Sequence, residues 1–433
     1  MNKIILVLLF ALNICFALQM EAQPKTNEWL VKLLSANKNE VLQQVLSNPG
    51  TYRYQIIYTR INRDKNNRPS FKNYYYNYDP NLYFNPASMV KMPLAFLALE
   101  KLNKLKVKRV NKYTTIQFDS SFTAQKAEVR DSTSANGLPS IAHYIKRAFL
   151  ISENDPYNRL YQFMGQQAIN RQLHNKGYKK AIITRQFMGF TEEQNRHTNA
   201  VRFFDNKGNL LYHQPAAYNT DSFKFNSEIK MGKGYLNRSD SLINEPFDFT
   251  RHNNIPLEDF QQMLQSVLFP ASVAPLQRFD LAQEDRHFLL RYLSQYPSET
   301  QYPKYDTSLF YDSYVKFFFT DSSHRMPTHV RVFNKVGWAY GFSTDVSYVV
   351  DVKNNVEFML AATVYVNSDD ILNDGKYEYE TIGNPFLYQV GQTIYKYELQ
   401  RNRTHKPQLS NFKIIYDKRD LKDSTPPIKI VDN

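Results

Sequence analysis

The chain has 433 residues, 42% of them hydrophobic and 15% aromatic, including 31 Tyr, which is material for a full core and excludes a disordered or low-complexity polymer. A formal charge of +13 and a pI near 9.3 raise nucleic acid as a partner. Lysines and arginines are interleaved with acids, however, so the charge is read as solubility and affinity for anionic cell-envelope polymers, with no nucleic acid expected.

Met1-Asn2-Lys3 followed by the apolar run Ile4 to Leu18 is a charged start and a segment too short to span a bilayer, so a signal peptide is expected over residues 1–22, with cleavage after Ala17 or Ala22. Cys15 is the only cysteine, so the mature chain has no thiol chemistry, and a periplasmic or secreted location is expected. No later stretch is apolar enough to span a membrane. Residues 27–47 then predict helix, and residues 52–62 with 70–78 predict a hairpin.

The stretch from Phe84 to Pro93 places Ser88 and Lys91 three residues apart where an extended segment gives way to an apolar helix carrying Leu94, Leu97, Leu102 and Leu105. On a helix these two positions share a face, so the amine can hang over the hydroxyl. The first N–H groups of that helix favour negative charge developing on a substrate. Val90, Met92 and Leu94 would keep Lys91 poorly hydrated, lowering its pKa until it can accept a proton. Ser-x-x-Lys recurs at Ser35/Lys38, Ser227/Lys230, Ser313/Lys316 and Ser410/Lys413, but only the copy at Ser88 follows Pro-Ala and opens such a helix.

Next in the chain, residues 140–150 predict helix, and Asp155-Pro156 marks the start of another. Between them stands Ser152-Glu153-Asn154. A serine here can pass a proton to a leaving nitrogen, and an asparagine can bond a lysine and a substrate amide; helix capping is the plainer use of the same residues. Residues 201–249 hold a hairpin pattern around Asn206-Lys207-Gly208-Asn209, and residues 256–268 predict helix. Lys335-Val336-Gly337-Trp338 falls between the β-rich runs 330–333 and 344–350. There Lys335 supplies a fixed charge, Gly337 admits close approach of a substrate, and the Trp338 N–H can donate to an oxyanion. An ordinary hairpin has the same pattern.

Taken together, Ser88-Met89-Val90-Lys91, Ser152-Glu153-Asn154 and Lys335-Val336-Gly337 resemble the three motifs of class A β-lactamases and penicillin-binding proteins. The order of elements agrees over roughly residues 25–400, closing with a strand at 356–366 and a helix at 386–399. The resemblance implies an α/β (α+β) fold, an antiparallel sheet flanked by helices beside a helical half, over residues 23–401, with an insertion at about 201–249 and a polar tail over 402–433 lying on the surface or mobile. It implies catalytic Ser88, Lys91, Ser152 and Lys335, substrate-binding Asn154, Gly337 and Trp338, and no metal or cofactor. The chain departs from the family at Glu153, where Asp is usual, and at Val336, where a Thr or Ser hydroxyl helps hold a substrate carboxylate. No arginine or lysine lies on the following strand. The acid that positions the hydrolytic water in class A enzymes has no exact counterpart; Glu192 and Glu193 are the acids nearest its place. The function implied is an exported serine hydrolase cleaving β-lactams through a Ser88 acyl-enzyme, and a monomer is expected. A D-Ala-D-Ala peptidase acting on peptidoglycan-like peptides and a non-catalytic envelope-binding protein remain alternatives.

Overall fold

A hairpin and a later three-stranded meander, far apart in the sequence, supply one sheet. The computed structural model describes residues 24–225 and 227–431, so the expected signal segment and Cys15 lie outside the described residues. Strands β1 (Gln55–Arg63) and β2 (Pro69–Tyr76) pair with the later meander β3 (Val330–Ala339), β4 (Phe342–Asp351) and β5 (Val356–Tyr365) in the order β3-β4-β5-β1-β2, every pairing antiparallel. All ten residues of β4 and of β5 are buried, so both faces of the sheet are covered. The period-2 alternation divides their side chains. Ile56, Val336, Leu360 and Ala362 join one apolar cluster, and Ile57, Val346, Met359 and Ala361 join the other.

The first cluster is closed by helices from the two ends of the chain. Helix α1 (Glu28–Ser35) contributes Leu30 and Leu34, and α2 (Glu40–Leu46) contributes Leu42 and Val45. The single helix expected over 27–47 is therefore two. Asn39 accepts the Leu42 N–H at 3.0 Å and caps α2, the local competition for backbone bonds that favours asparagine at helix starts over helix interiors.

The second cluster belongs to the helical half: α3 (Lys91–Leu105), α4 (Ile141–Leu150), α5 (Asn154–Met164), α6 (Gln166–Asn175), α7 (Leu257–Leu268) and α8 (Gln283–Ser294). Every residue of α3 from Lys91 to Glu100 is buried, as expected of a central helix that is packed all round. Helix α9 (Asn384–Gln400) returns to the first cluster with Phe386, Val390 and Ile394. Fold class and layering thus agree with the resemblance. Among the described residues no helix is long and apolar enough to cross a membrane.

Within residues 201–249, strand Val201–Phe204 pairs with Leu210–Gln214, the hairpin expected there, and also with Thr115–Phe118. The C-terminal segment runs over the surface but is anchored there at a few points. Leu409 and Phe412 are buried in the second cluster, with the Phe412 ring against Phe269, Phe333 and Tyr348, and Ile428 exchanges backbone hydrogen bonds with Lys304 and Asp306. Average composition hides two apolar anchors spaced by polar residues.

Candidate active site

Ser88 sits in a tight turn before α3. The Asn85 side chain accepts the Ala87 N–H at 2.9 Å, Ala87 takes a left-handed φ of 43°, and residues Ala87–Val90 form a 3-10 turn that leads into the helix. Left-handed backbone costs an alanine about 1–2 kcal/mol, so packing around the turn must hold it. In 3-10 geometry side chains at i and i+3 eclipse, which sets the Lys91 Nζ 2.7 Å from the Ser88 Oγ.

The second motif fills the junction between α4 and α5. Ser152 has φ 70°, again left-handed, and this turns its carbonyl toward Lys91 while its hydroxyl lies 3.3 Å from Lys91 Nζ and 2.7 Å from Lys335 Nζ. Asn154 accepts from Lys91 at 2.8 Å. Glu153 points the other way, to Arg147 at 2.6 Å and to the Tyr305 hydroxyl, so its extra methylene relative to aspartate is absorbed outside the cavity.

Lys91 is fully buried, and burial holds its pKa well below the usual lysine range, with Lys335 pushing the same way and Glu153 opposing. In its neutral form, which burial favours, the amine has two N–H bonds and one lone pair. The Ser152 carbonyl and the Asn154 amide oxygen can only accept, so they take the two N–H donors. The lone pair is left for the Ser88 hydroxyl, the arrangement a base needs before it removes that proton.

Lys335 is buried on β3 and donates to Val336 O at 2.7 Å as well as to Ser152. Burial lowers its pKa and the buried Asp345 carboxylate opposes the shift. Strand β3 is the edge of the sheet. The Tyr340-Gly341 turn has φ 52° and 79°, the type I′ signature, so the flanking Ala339–Phe342 pair is hydrogen-bonded and alternate residues, Trp338 and Val336, turn their N–H and C=O outward. Trp338 thereby offers a donor at the free edge, against which the Ser88 turn packs.

Gly337 makes that approach possible. A Cβ there would lie 2.4 Å from Pro86 O and 3.0 Å from Met89 N, both backbone atoms. Gly337→Ala is expected to force the Ser88 turn away from β3 and to slow acylation by about 10²-fold, since a misplacement of roughly 1 Å has that effect. Acylation kinetics beside circular dichroism of the folded variant check it. Val336 is a correction to the sequence reading: its side chain is fully buried in the apolar cluster behind the sheet and does not line the cavity, so a threonine hydroxyl there would be buried rather than offered to a substrate.

The cleft between sheet and helical half encloses about 530 Å³, lined by Ser88, Ser152, Asn154 and Trp338 and by residues the sequence did not single out: Asn85, Arg185, Gln186, Phe187, Met188, His252, Asn253 and Tyr340. Phe187 covers the buried amine, with Lys91 Nζ 5.2 Å from its ring centre. A lone His-Asn pair before a helix carries no pattern in the sequence. Asn253 accepts the Thr184 and Arg185 N–H groups at 2.8 and 3.0 Å and fixes that loop.

Glu192 and Glu193 do not reach the cavity. They begin a one-turn helix, exposed at 60% and 61%, and pair with Arg251 at 2.6 Å and His197 at 3.3 Å. No aspartate or glutamate is among the residues lining the cleft. Among the described residues no group of three or more His, Cys, Asp or Glu is arranged to hold a metal ion.

Residues 37–208 match the family model described as Beta-lactamase enzyme family, a span that takes in Ser88, Lys91, Ser152 and Asn154 and ends before Lys335. No curated protein matches the chain. Similar solved structures include a β-lactamase from Sphaerobacter thermophilus (13% identity over 84% of this chain and 98% of that one, TM-score 0.45) and a β-lactamase from Francisella tularensis (13%, 82% and 98%, TM-score 0.47). Another is a mutant of PBP-A as its acyl-enzyme complex with penicillin G (13%, 85% and 96%, TM-score 0.46). Over residues 37–208, less than half of its length, the chain is similar to the Beta-lactamase enzyme family, and its own serine and lysine pairs are gathered in one cleft.

Proposed function

We propose that this protein forms an acyl-enzyme at Ser88 on the amide carbonyl of a β-lactam or a D-alanyl peptide, and that it releases the acyl group slowly, as a peptidase of the cell envelope does with penicillin. The observation that carries the reading is the Lys91 amine held 2.7 Å from Ser88 Oγ and bonded as well to the Ser152 carbonyl and the Asn154 amide oxygen. In the proposed step Ser88 Oγ bonds to the carbonyl carbon and its proton passes to Lys91. The Ser88 and Trp338 backbone N–H groups hold the oxyanion. The C–N bond then breaks as Ser152 gives its proton to the leaving nitrogen and is reprotonated by Lys91, while Lys335 holds Ser152 in place.

Slow release is inferred from the cleft's lining, which offers no carboxylate to activate water. A fast β-lactamase would need such a base. The charged start and apolar run of the first residues support export, to the periplasm or outside the cell.

Intact-protein mass spectrometry after exposure to benzylpenicillin tests the reading. A single penicilloyl adduct that persists after free drug is removed is the expected result, and the Glu192→Gln/Glu193→Gln double variant should hold the adduct just as long. Rapid hydrolysis with no adduct would establish the β-lactamase alternative; failure of any acylating probe to label the protein would leave the non-catalytic one.

A further inference from the structure

The cleft has two chemically different ends. Along β3, Lys335 lies at the end where Ser152 stands ready to protonate the leaving nitrogen, and Tyr340 lies at the other. At the Tyr340 end Arg185 donates through Nη1 to His252 Nε2. The backbone of Arg185 is pinned, its N–H to Asn253 and its carbonyl to the Tyr157 hydroxyl at 2.7 Å, so the side chain is directed by a fixed loop. Tyr340 packs edge-on to His252 with ring centres 6.1 Å apart.

Arg185 has His252 as its side-chain partner and no ion pair among the described residues, and it is the one permanently charged side chain in the cavity lining. Its partner is neutral: burial, with Arg185 adding, lowers the His252 pKa to about 3. A cation that lines a substrate cleft and rests on a neutral acceptor is free to take a carboxylate in exchange, with a charge-assisted, two-pronged bond as the gain.

From this geometry we infer that Arg185, with His252 and Tyr340, forms a subsite for a carboxylate carried on the acyl side chain of the substrate. The leaving group occupies the Ser152 and Lys335 end, so an anion reaching Arg185 belongs to the part of the substrate that stays on Ser88. The inference rests on the acyl-enzyme reading above and adds the class of acyl donor: one ending in an acid, with apolar atoms between that meet Phe187 and Met188.

Two penicillins that differ in one group test it. 6-Glutarylaminopenicillanic acid and 6-pentanoylaminopenicillanic acid share the ring and the ring carboxylate, and differ only in a terminal carboxylate or methyl. The protein is expected to be acylated by the glutaryl compound about tenfold faster, the effect of one hydrogen bond to a charged group. Arg185→Gln should erase that preference and Arg185→Lys should keep part of it. Because the preference is a ratio within one protein sample, a partly unfolded variant does not disturb it. Absence of the preference, or its survival in Arg185→Gln, overturns the subsite. Should neither compound acylate Ser88, the acyl-enzyme reading fails by itself. Calorimetric binding of the same pair to Ser88→Ala then decides the subsite, which stands if the glutaryl compound binds more tightly and only with Arg185 present, and falls otherwise.

Discussion

Ser88→Ala is expected to abolish covalent labelling by benzylpenicillin and by a fluorophosphonate, lowering the acylation rate by about 10³-fold or more, the scale on which removal of a serine nucleophile acts. The expectation rests on Ser88 combining a buried amine over its hydroxyl with a place in the cavity lining at the turn that opens α3. The other serines with a lysine three residues on serve as controls. Ser313 is fully buried, and its partner in the pattern, Lys316, donates to Leu293 O, Val332 O and Asn334 instead. Ser227 is exposed. Ser227→Ala and Ser313→Ala should therefore label as the unaltered protein does, and labelling that survives in Ser88→Ala would remove the nucleophile assignment.

The second large effect concerns the base. Lys91→Met keeps the length of a buried side chain and removes the amine, so acylation should fall by about 10²–10⁴-fold, the usual worth of a positioned proton acceptor. The pH profile adds a readout that a packing defect would not move. Only the neutral amine can accept the Ser88 proton, so the rate rises with pH through the Lys91 pKa and levels off above it. Burial holds that pKa well below the usual lysine range, so the acid limb should lie well below that range. A limb at the ordinary lysine position, or Lys91→Met acylating at the unaltered rate, would count against Lys91 as base. Lys91→Arg is not expected to rescue activity, because a guanidinium stays protonated and has no lone pair to offer.

Both effects depend on strain that the sequence does not display. Ala87 and Ser152 hold left-handed backbone on either side of the buried amine. Their neighbours show why the conformations persist: Asn85 ties the Ala87 N–H, and the inverted Ser152 places its carbonyl and hydroxyl on two different lysines. Strain of this kind is stable only where surrounding contacts over-determine it.

The sequence by itself determined the order of the elements, the two halves of the fold and the three segments that meet in the cleft. These signals are local: a period of two in the strands, an apolar helix after Ser88, a serine between two helices, a Lys-x-Gly on an edge strand. It also exposed the missing hydroxyl at Val336, although not that this side chain faces away from the cavity. Tertiary structure alone decided which residues complete the site. Arg185 and His252 are 67 residues apart and carry no motif, and they meet because Asn253 pins the 184–185 backbone against the segment that leads into α7. Tertiary structure likewise decided that Glu192 and Glu193 belong to the surface, because the capping box of Thr191 with Gln194 starts their helix outside the cleft. It decided, finally, that the last segment is anchored, since two apolar side chains find a core that no local pattern could announce. Burial and long-range pairing are properties of the folded chain, and residue types in sequence do not encode them one segment at a time.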